Sequence, residues 1–222
     1  EAVAAFIRAL ELNRRMQLAQ HNLEMAYLSS GAADERITQL REELRLAPSD
    51  REHRWELGRT LALLGRHHDA VAEFQQLLRY HPHDLGALIQ LGLAEKEIGD
   101  IEVAQSWFEQ ALGVDPQSSL VYFYLGEIAY NRGLLEEALG HLQQSIELNP
   151  ENHEAWYLLG FVLGDAGLHD DAKEATDRAI QLNPTLGKAQ ANLAISADQK
   201  NRYVEKNKRE ATRIVQVEVR DE

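Results

Sequence analysis

The chain has 222 residues, 36 acidic against 23 basic, a net charge of −13 and no cysteine. Its length suits one large or two small compact domains, and a surface this acidic disfavours nucleic acid and anionic lipid while suiting basic or neutral peptides. Disulfides, thiolate metal sites and cysteine nucleophiles are excluded, and no apolar run reaches the roughly 18 residues that cross a bilayer.

In chain order, residues 1–16 carry Ala2, Phe6 and Ala9 at helical spacing and read as the second helix of a repeat whose first half is missing. On this reading the chain starts inside a longer array. No signal peptide is visible, and the first residue is Glu1 rather than Met. The cysteine-free composition suits a reducing cytosol and a periplasm alike, with the cytoplasm favoured.

From residue 17 onward the chain is punctuated every 34 residues. The five prolines are Pro48, Pro82, Pro116, Pro150 and Pro184, each 34 residues from the next. Gly31, Gly65, Gly99, Gly133 and Gly167 form a second column, and Gly58, Gly92, Gly126 and Gly160 a third. Leu23, Leu57, Leu91, Leu125, Leu159 and Leu193 precede or extend the third, and Ala70, Ala104, Ala138 and Ala172 form a fifth. Between these marks the apolar spacing is helical, as in Leu57, Leu61 and Leu64 or Ala70, Phe74 and Leu77.

The Gly65 column predicts the left-handed end of a first helix. The Pro82 column predicts the end of a second helix and the opening of the next, with proline in the first turn. Gly58 and its equivalents lie mid-helix, where glycine costs about 1 kcal/mol against alanine. Their recurrence points to close approach of paired helices. Residues 17–50 form a degenerate repeat, since Glu24 and Arg36 stand where small residues belong, and looser packing is expected there. Residues 51–186 hold four well-formed units. Residues 187–213 read as capping helix, with Leu193 in register and a basic stretch at 200–213. In residues 214–222, Val215, Val217 and Val219 alternate with polar residues, which is strand periodicity; the segment reads as a strand-like or disordered tail or a linker to a following domain, with pairing between copies or filling of the groove as alternatives.

This unit resembles the tetratricopeptide repeat. Residues 153–186 carry Trp156, Leu159, Gly160, Gly167, Ala172, Ala179 and Pro184, and residues 85–118 carry Leu91, Gly92, Gly99, Ala104, Phe108, Ala111 and Pro116. The resemblance implies an all-α fold, a right-handed superhelical solenoid of antiparallel helix pairs. It also implies a protein-interaction scaffold or adaptor whose first helices line a concave groove for a peptide. Carried onto this sequence, the groove residues are Trp55, Arg59, Ile89, Phe123, Tyr124, Glu127, Tyr157 and Phe161, with acidic marks at Glu52, Glu56 and Glu154 and Tyr130 alongside. Aromatic anchors are what interface hot spots use. The alternative stays open that half or more of this stripe packs against neighbouring helices. Members that clamp a chaperone's C-terminal carboxylate need Lys and Asn in these columns; Trp55, Arg59, Gln90, Leu120 and Tyr124 do not supply them.

Signals for chemistry are weak. His67-His68 and His81-Pro82-His83 read as solvated loop histidines at opposite ends of one helix, not a metal site. Glu136-Glu137 and Asp170-Asp171 read as acidic starts of helices. There is no GxSxG, HExxH or phosphate-binding loop, so no catalytic residue, cofactor or metal is assigned. Two rival readings remain: the repeat part of a larger enzyme such as a glycosyltransferase, and a self-assembling array stacked through its ends or tail.

Overall fold

A computed structural model describes residues 32–186. The expected half-repeat at 1–16, most of the degenerate repeat, the capping segment and the tail lie outside the described residues. Within them run nine helices and no strand: α1 (Ala32–Leu46), α2 (Arg51–Leu63), α3 (His67–Tyr80), α4 (Leu85–Ile98), α5 (Ile101–Val114), α6 (Ser119–Asn131), α7 (Leu135–Leu148), α8 (His153–Asp165) and α9 (His169–Leu182). The fold is all-α and repetitive. The chain divides into two compact units, one up to Ile128 and one from Ala129 onward.

In the first unit each helix packs on the next, from α1 to α5. One cluster joins Leu40 and Leu44 to Leu57, Leu61, Phe74, Leu77 and Leu91, all buried. A second joins Leu88, Ile89, Ala104, Phe108, Val121, Leu125 and Ile128. In the second unit α8 packs on both α7 and α9, burying Ala138, Leu142, Leu159, Val162 and Ala179.

The mid-helix glycines have a direct steric cause. A Cβ on Gly58 would lie 2.8 Å from the Phe74 ring, and one on Gly92 would lie 2.6 Å from the Phe108 ring. Both rings are fully buried. At Gly160 the partner is Thr176, whose hydroxyl would lie 2.4 Å from an added Cβ and donates to the Ala172 carbonyl at 2.7 Å. In each case the partner is sixteen residues on, so the helix pair closes on a bare backbone.

The turn glycines do what their column implies. Gly65, Gly99, Gly133 and Gly167 all have positive φ, between 72° and 101°. The N–H of the residue after each returns to a carbonyl five residues back, as from Asp100 to Glu95 and Leu134 to Ala129, both at 2.9 Å. This is the helix-ending pattern that needs a left-handed residue.

The prolines correct the sequence expectation. They do not open the following helices. Pro82 sits second in a four-residue turn closed by the Asp84 N–H donating to the His81 carbonyl at 3.1 Å, and α4 starts only after it. The same closure spans Pro48, Pro116, Pro150 and Pro184. Proline's fixed φ suits the second position of such a turn. The helix is opened instead by the last turn residue, whose side chain caps it. Asp50 accepts from the His53 N–H, Asp84 from Ala87, and Asn152 from Glu154 and Ala155. Ser118 holds the same place in the sequence.

Arg36, which displaces a small residue, reaches across to α2. Its guanidinium grips the Glu56 carboxylate with two hydrogen bonds of 2.7 Å.

Two glycine-to-alanine changes should move stability in opposite directions. Gly92→Ala, blocked by the Phe108 ring, should lower stability by about 1–3 kcal/mol despite the better helix propensity. Gly140→Ala, mid-helix in α7 with open space at its Cβ, should raise it by about 0.5–1 kcal/mol. Urea unfolding followed by circular dichroism measures both.

Glu95 provides a second stability test. It is 8% exposed and stands in the column that holds Leu61, Ala129 and Leu163 in the other units. Burial, then the nearby Asp100, pushes its carboxyl above the usual range, while His68 and the Trp107 side chain pull the other way. A raised folded pKa means that Glu95 favours folding most when protonated, and that this contribution is lost as pH rises through the folded value. Wild type should therefore lose stability relative to Glu95→Gln as pH rises from the ordinary glutamate value of about 4.3. Thermal melts of the two proteins across pH 4–8 check this, and parallel profiles would contradict it.

Candidate peptide-binding face

The eight residues expected in the groove lie on the first helices α2, α4, α6 and α8, and the structure distributes them into groups with different roles. Trp55 is the largest of them and is half-buried scaffold. Its ring meets Phe74 edge-on with centroids 5.4 Å apart, and the Arg51 guanidinium lies 5.9 Å above it. The far edge of the indole lies over Gly86, where a Cβ would come within 2.9 Å. Arg51 in turn pairs with the Asp84 carboxylate that caps α4. Gly86 was the available sequence signal, because it belongs to neither glycine column.

Ile89 also leaves the face. It is 9% exposed and packs in the cluster around Phe108 and Val121. Arg59, half-buried on α2, is engaged in an interaction of its own.

The second group is built on α6. Tyr124 stacks on the buried Phe108 at 5.2 Å, with ring planes 23° apart, and Phe123 lies tilted against Tyr124 at 5.4 Å. The Glu127 carboxylate accepts a 2.7 Å hydrogen bond from the Lys96 ammonium, which also lies 5.6 Å from the Tyr124 ring centroid. Lys96 was not foreseen. It is the first lysine in the chain, and no other occurs before Lys173. On α4 it places a paired cation among the aromatic side chains of α6.

The third group lies on α8 in the second unit. Tyr157 and Phe161 meet edge-on at 4.9 Å. Phe161 is 44% exposed, an unusual state for a side chain of that size. The Tyr130 hydroxyl donates to the Asp165 carboxylate at 2.8 Å, and this contact holds the phenol's pKa above its ordinary value. Glu154 is exposed at the start of the same helix.

Outside these groups, His67 and His68 open α3 and His81 follows its other end, where its Nε2 lies 3.1 Å from the Ser49 carbonyl. Glu136, Glu137, Asp170 and Asp171 lie in the first turns of α7 and α9. Among the described residues, no group of three or more His, Asp or Glu side chains is placed to hold a metal ion. None of the helices in them is long and apolar enough to cross a membrane.

A family model described as the tetratricopeptide repeat matches residues 25–84 and 89–153. The chain belongs to the tetratricopeptide repeat family. A second model of the same description matches residues 141–174. Among solved structures the chain is similar to MamA, at 20% identity over 75% of this chain and 97% of that one, with a TM-score of 0.64. MamA from Desulfovibrio magneticus RS-1, from its residue 41 to the end, is 25% identical over 74% of this chain and 93% of that one, with a TM-score of 0.63. YrrB, described as a tetratricopeptide repeat protein with an unusual peptide-binding site, is 21% identical over 82% and 94%, with a TM-score of 0.57. These likenesses bear on the fold. Comparison with curated protein sequences gives no match. As a tetratricopeptide repeat protein the chain is a protein-interaction scaffold, in a family whose members are generally not enzymes.

Stability measurements separate the repeat's packing residues from its free ones. Trp55→Ala should cost about 3 kcal/mol, because it empties a site walled by Phe74 and Gly86. Phe161→Ala should cost about 1 kcal/mol or less, since the ring is largely exposed and its ring contact among the described residues is the edge contact with Tyr157. Equal losses at the two sites would show that Phe161 is scaffold too.

Proposed function

We propose that the scaffold holds a peptide segment of a partner protein against the first-helix face that carries Tyr157 and Phe161 in the second unit, and that the face carrying Phe123, Tyr124 and Glu127 in the first unit is a peptide surface in its own right. The observation that carries this reading is the exposure of Phe161. Its column holds Arg59, Leu93 and Glu127 in the other units, so repeat packing does not require a phenyl ring there. A large ring open to solvent gains free energy when a partner covers it, at roughly 25 cal/mol per Å² of apolar surface.

Glu127 and Tyr124 serve this reading by fixing geometry. Lys96 ties the carboxylate and faces the ring, so the α6 face is ordered before a partner arrives and less side-chain entropy is lost on binding. Trp55 and Ile89 act beneath the face by setting how α2 and α4 pack. YrrB, similar in fold, is itself described as binding peptide, which supports the class of ligand and not its sequence.

The test is affinity capture from lysate with three proteins: wild type, Phe123→Ala/Phe161→Ala, and Val103→Ala on the exposed side of α5. A partner retained by wild type and by Val103→Ala, and reduced at least tenfold with the double variant, is the expected result. Loss with Val103→Ala alone, or three identical profiles, would move the binding surface elsewhere.

A further inference from the structure

On α8 the residues Glu154, Tyr157, Phe161 and Asp165 follow one another at intervals of three, four and four, the spacing that keeps side chains on one side of a helix. Phe161 is the exposed apolar centre, Tyr157 supports it, and exposed carboxylates stand at both ends. The Asp165 carboxylate accepts from the neutral Tyr130 hydroxyl, which leaves its charge in place. From residue 129 to 168 the sequence contains one cationic side chain, Arg132, against Glu136, Glu137, Glu147, Glu151, Glu154 and Asp165. Such a stripe suits a cationic segment with an apolar residue among its charges.

The same chain contains one. Residues 200–213, KNRYVEKNKREATR, carry Lys200, Arg202, Lys206, Lys208, Arg209 and Arg213 against Glu205 and Glu210, and they hold the apolar pair Tyr203-Val204. We propose that this segment docks on the α8 stripe, with Tyr203-Val204 against Phe161 and the flanking cations at Glu154 and Asp165. The proposal rests on the reading of the first-helix faces as peptide sites and names an occupant for one of them.

Length permits the contact. Thirteen residues, 187–199, separate the last described residue from the start of the segment. They span about 20 Å as a helix and up to about 43–47 Å extended, while the thirteen residues of α8 span about 20 Å. Tethering supplies the segment at an effective concentration near the millimolar range, so weak complementarity suffices to occupy the site.

The absence of native cysteine allows a clean test on the full chain. Asn207→Cys carries a nitroxide label, and amide signals of the ¹⁵N-labelled protein are compared before and after reduction of the label. The expected result is broadening across Glu154–Asp165 that fades as salt is raised to about 0.5 M. It should be lost both in Phe161→Ala/Asp165→Asn and in Lys206→Gln/Lys208→Gln/Arg209→Gln. Mixing labelled chains with ¹⁵N chains lacking the label shows whether the segment comes from the same copy or a second one, and broadening in either sample supports the docking. Broadening confined to other helices, or none, overturns it. If a captured partner still depends on Phe161 in that event, the peptide-binding reading stands and only the occupant is wrong; loss of both results removes both.

Discussion

The contact on which the rest of this scaffold depends is a ring lying on bare backbone. Gly58 faces Phe74 and Gly92 faces Phe108 at distances that exclude even a methyl group. This sets how close the helices of a pair come, and closeness at that point brings Leu57 and Leu61 into contact with Ala70 and Leu77. The loss of helix propensity at the glycine is offset by complete burial of the ring. Where Thr176 replaces the ring opposite Gly160, its hydroxyl turns back to its own helix and the approach stays close. The repeat therefore conserves a separation between helices more strictly than the chemistry that fills it.

Periodicity made the fold legible because each mark answers a separate backbone need. A left-handed turn needs glycine, and the four φ values agree. The proline column was equally visible, yet its role was assigned to the wrong element, because proline is acceptable both in a helix's first turn and in second place in a tight turn. Only the turn's own hydrogen bond, as from Asp84 to His81, separates the two. The caps Asp50, Asp84 and Asn152, with Ser118 in register, were missed for another reason. They are three residue types doing one job, and a column is noticed more readily when its residues are identical than when they are equivalent.

The face was less legible. An aromatic residue in a first helix satisfies the pattern equally well as filler or as anchor. Trp55 and Phe161 fall in adjoining columns, yet one lies over the backbone of Gly86 and the other stands 44% exposed. What separates them is the residue each one meets among the described residues: Gly86, about thirty positions on, for Trp55, and Tyr157, one turn back on the same helix, for Phe161. Ile89 was drawn inward in the same way, because Val121 and Phe108 left an apolar site for it.

Charge shows how one composition supplies both packing and recognition. Asp84 caps a helix and holds Arg51, and Glu56 holds Arg36, so these carboxylates are committed to the scaffold. Glu127 is tied to Lys96 and stands on the same helix as the half-buried rings of Phe123 and Tyr124. Glu154 and Asp165 flank Phe161 as exposed carboxylates, and the hydroxyl that Asp165 accepts from carries no charge. The sequence therefore uses its few cations first where they join helices, and the second unit, with Arg132, Lys173 and Arg178 as its described cations, is left with an excess of negative charge. Surface carboxylates of this kind add little to stability. Their influence lies in which segment they attract and how fast, and that influence weakens with salt. A scaffold whose packing is settled by glycine and aromatic rings is free to vary these carboxylates, and that freedom lets an unchanging repeat frame serve a particular partner.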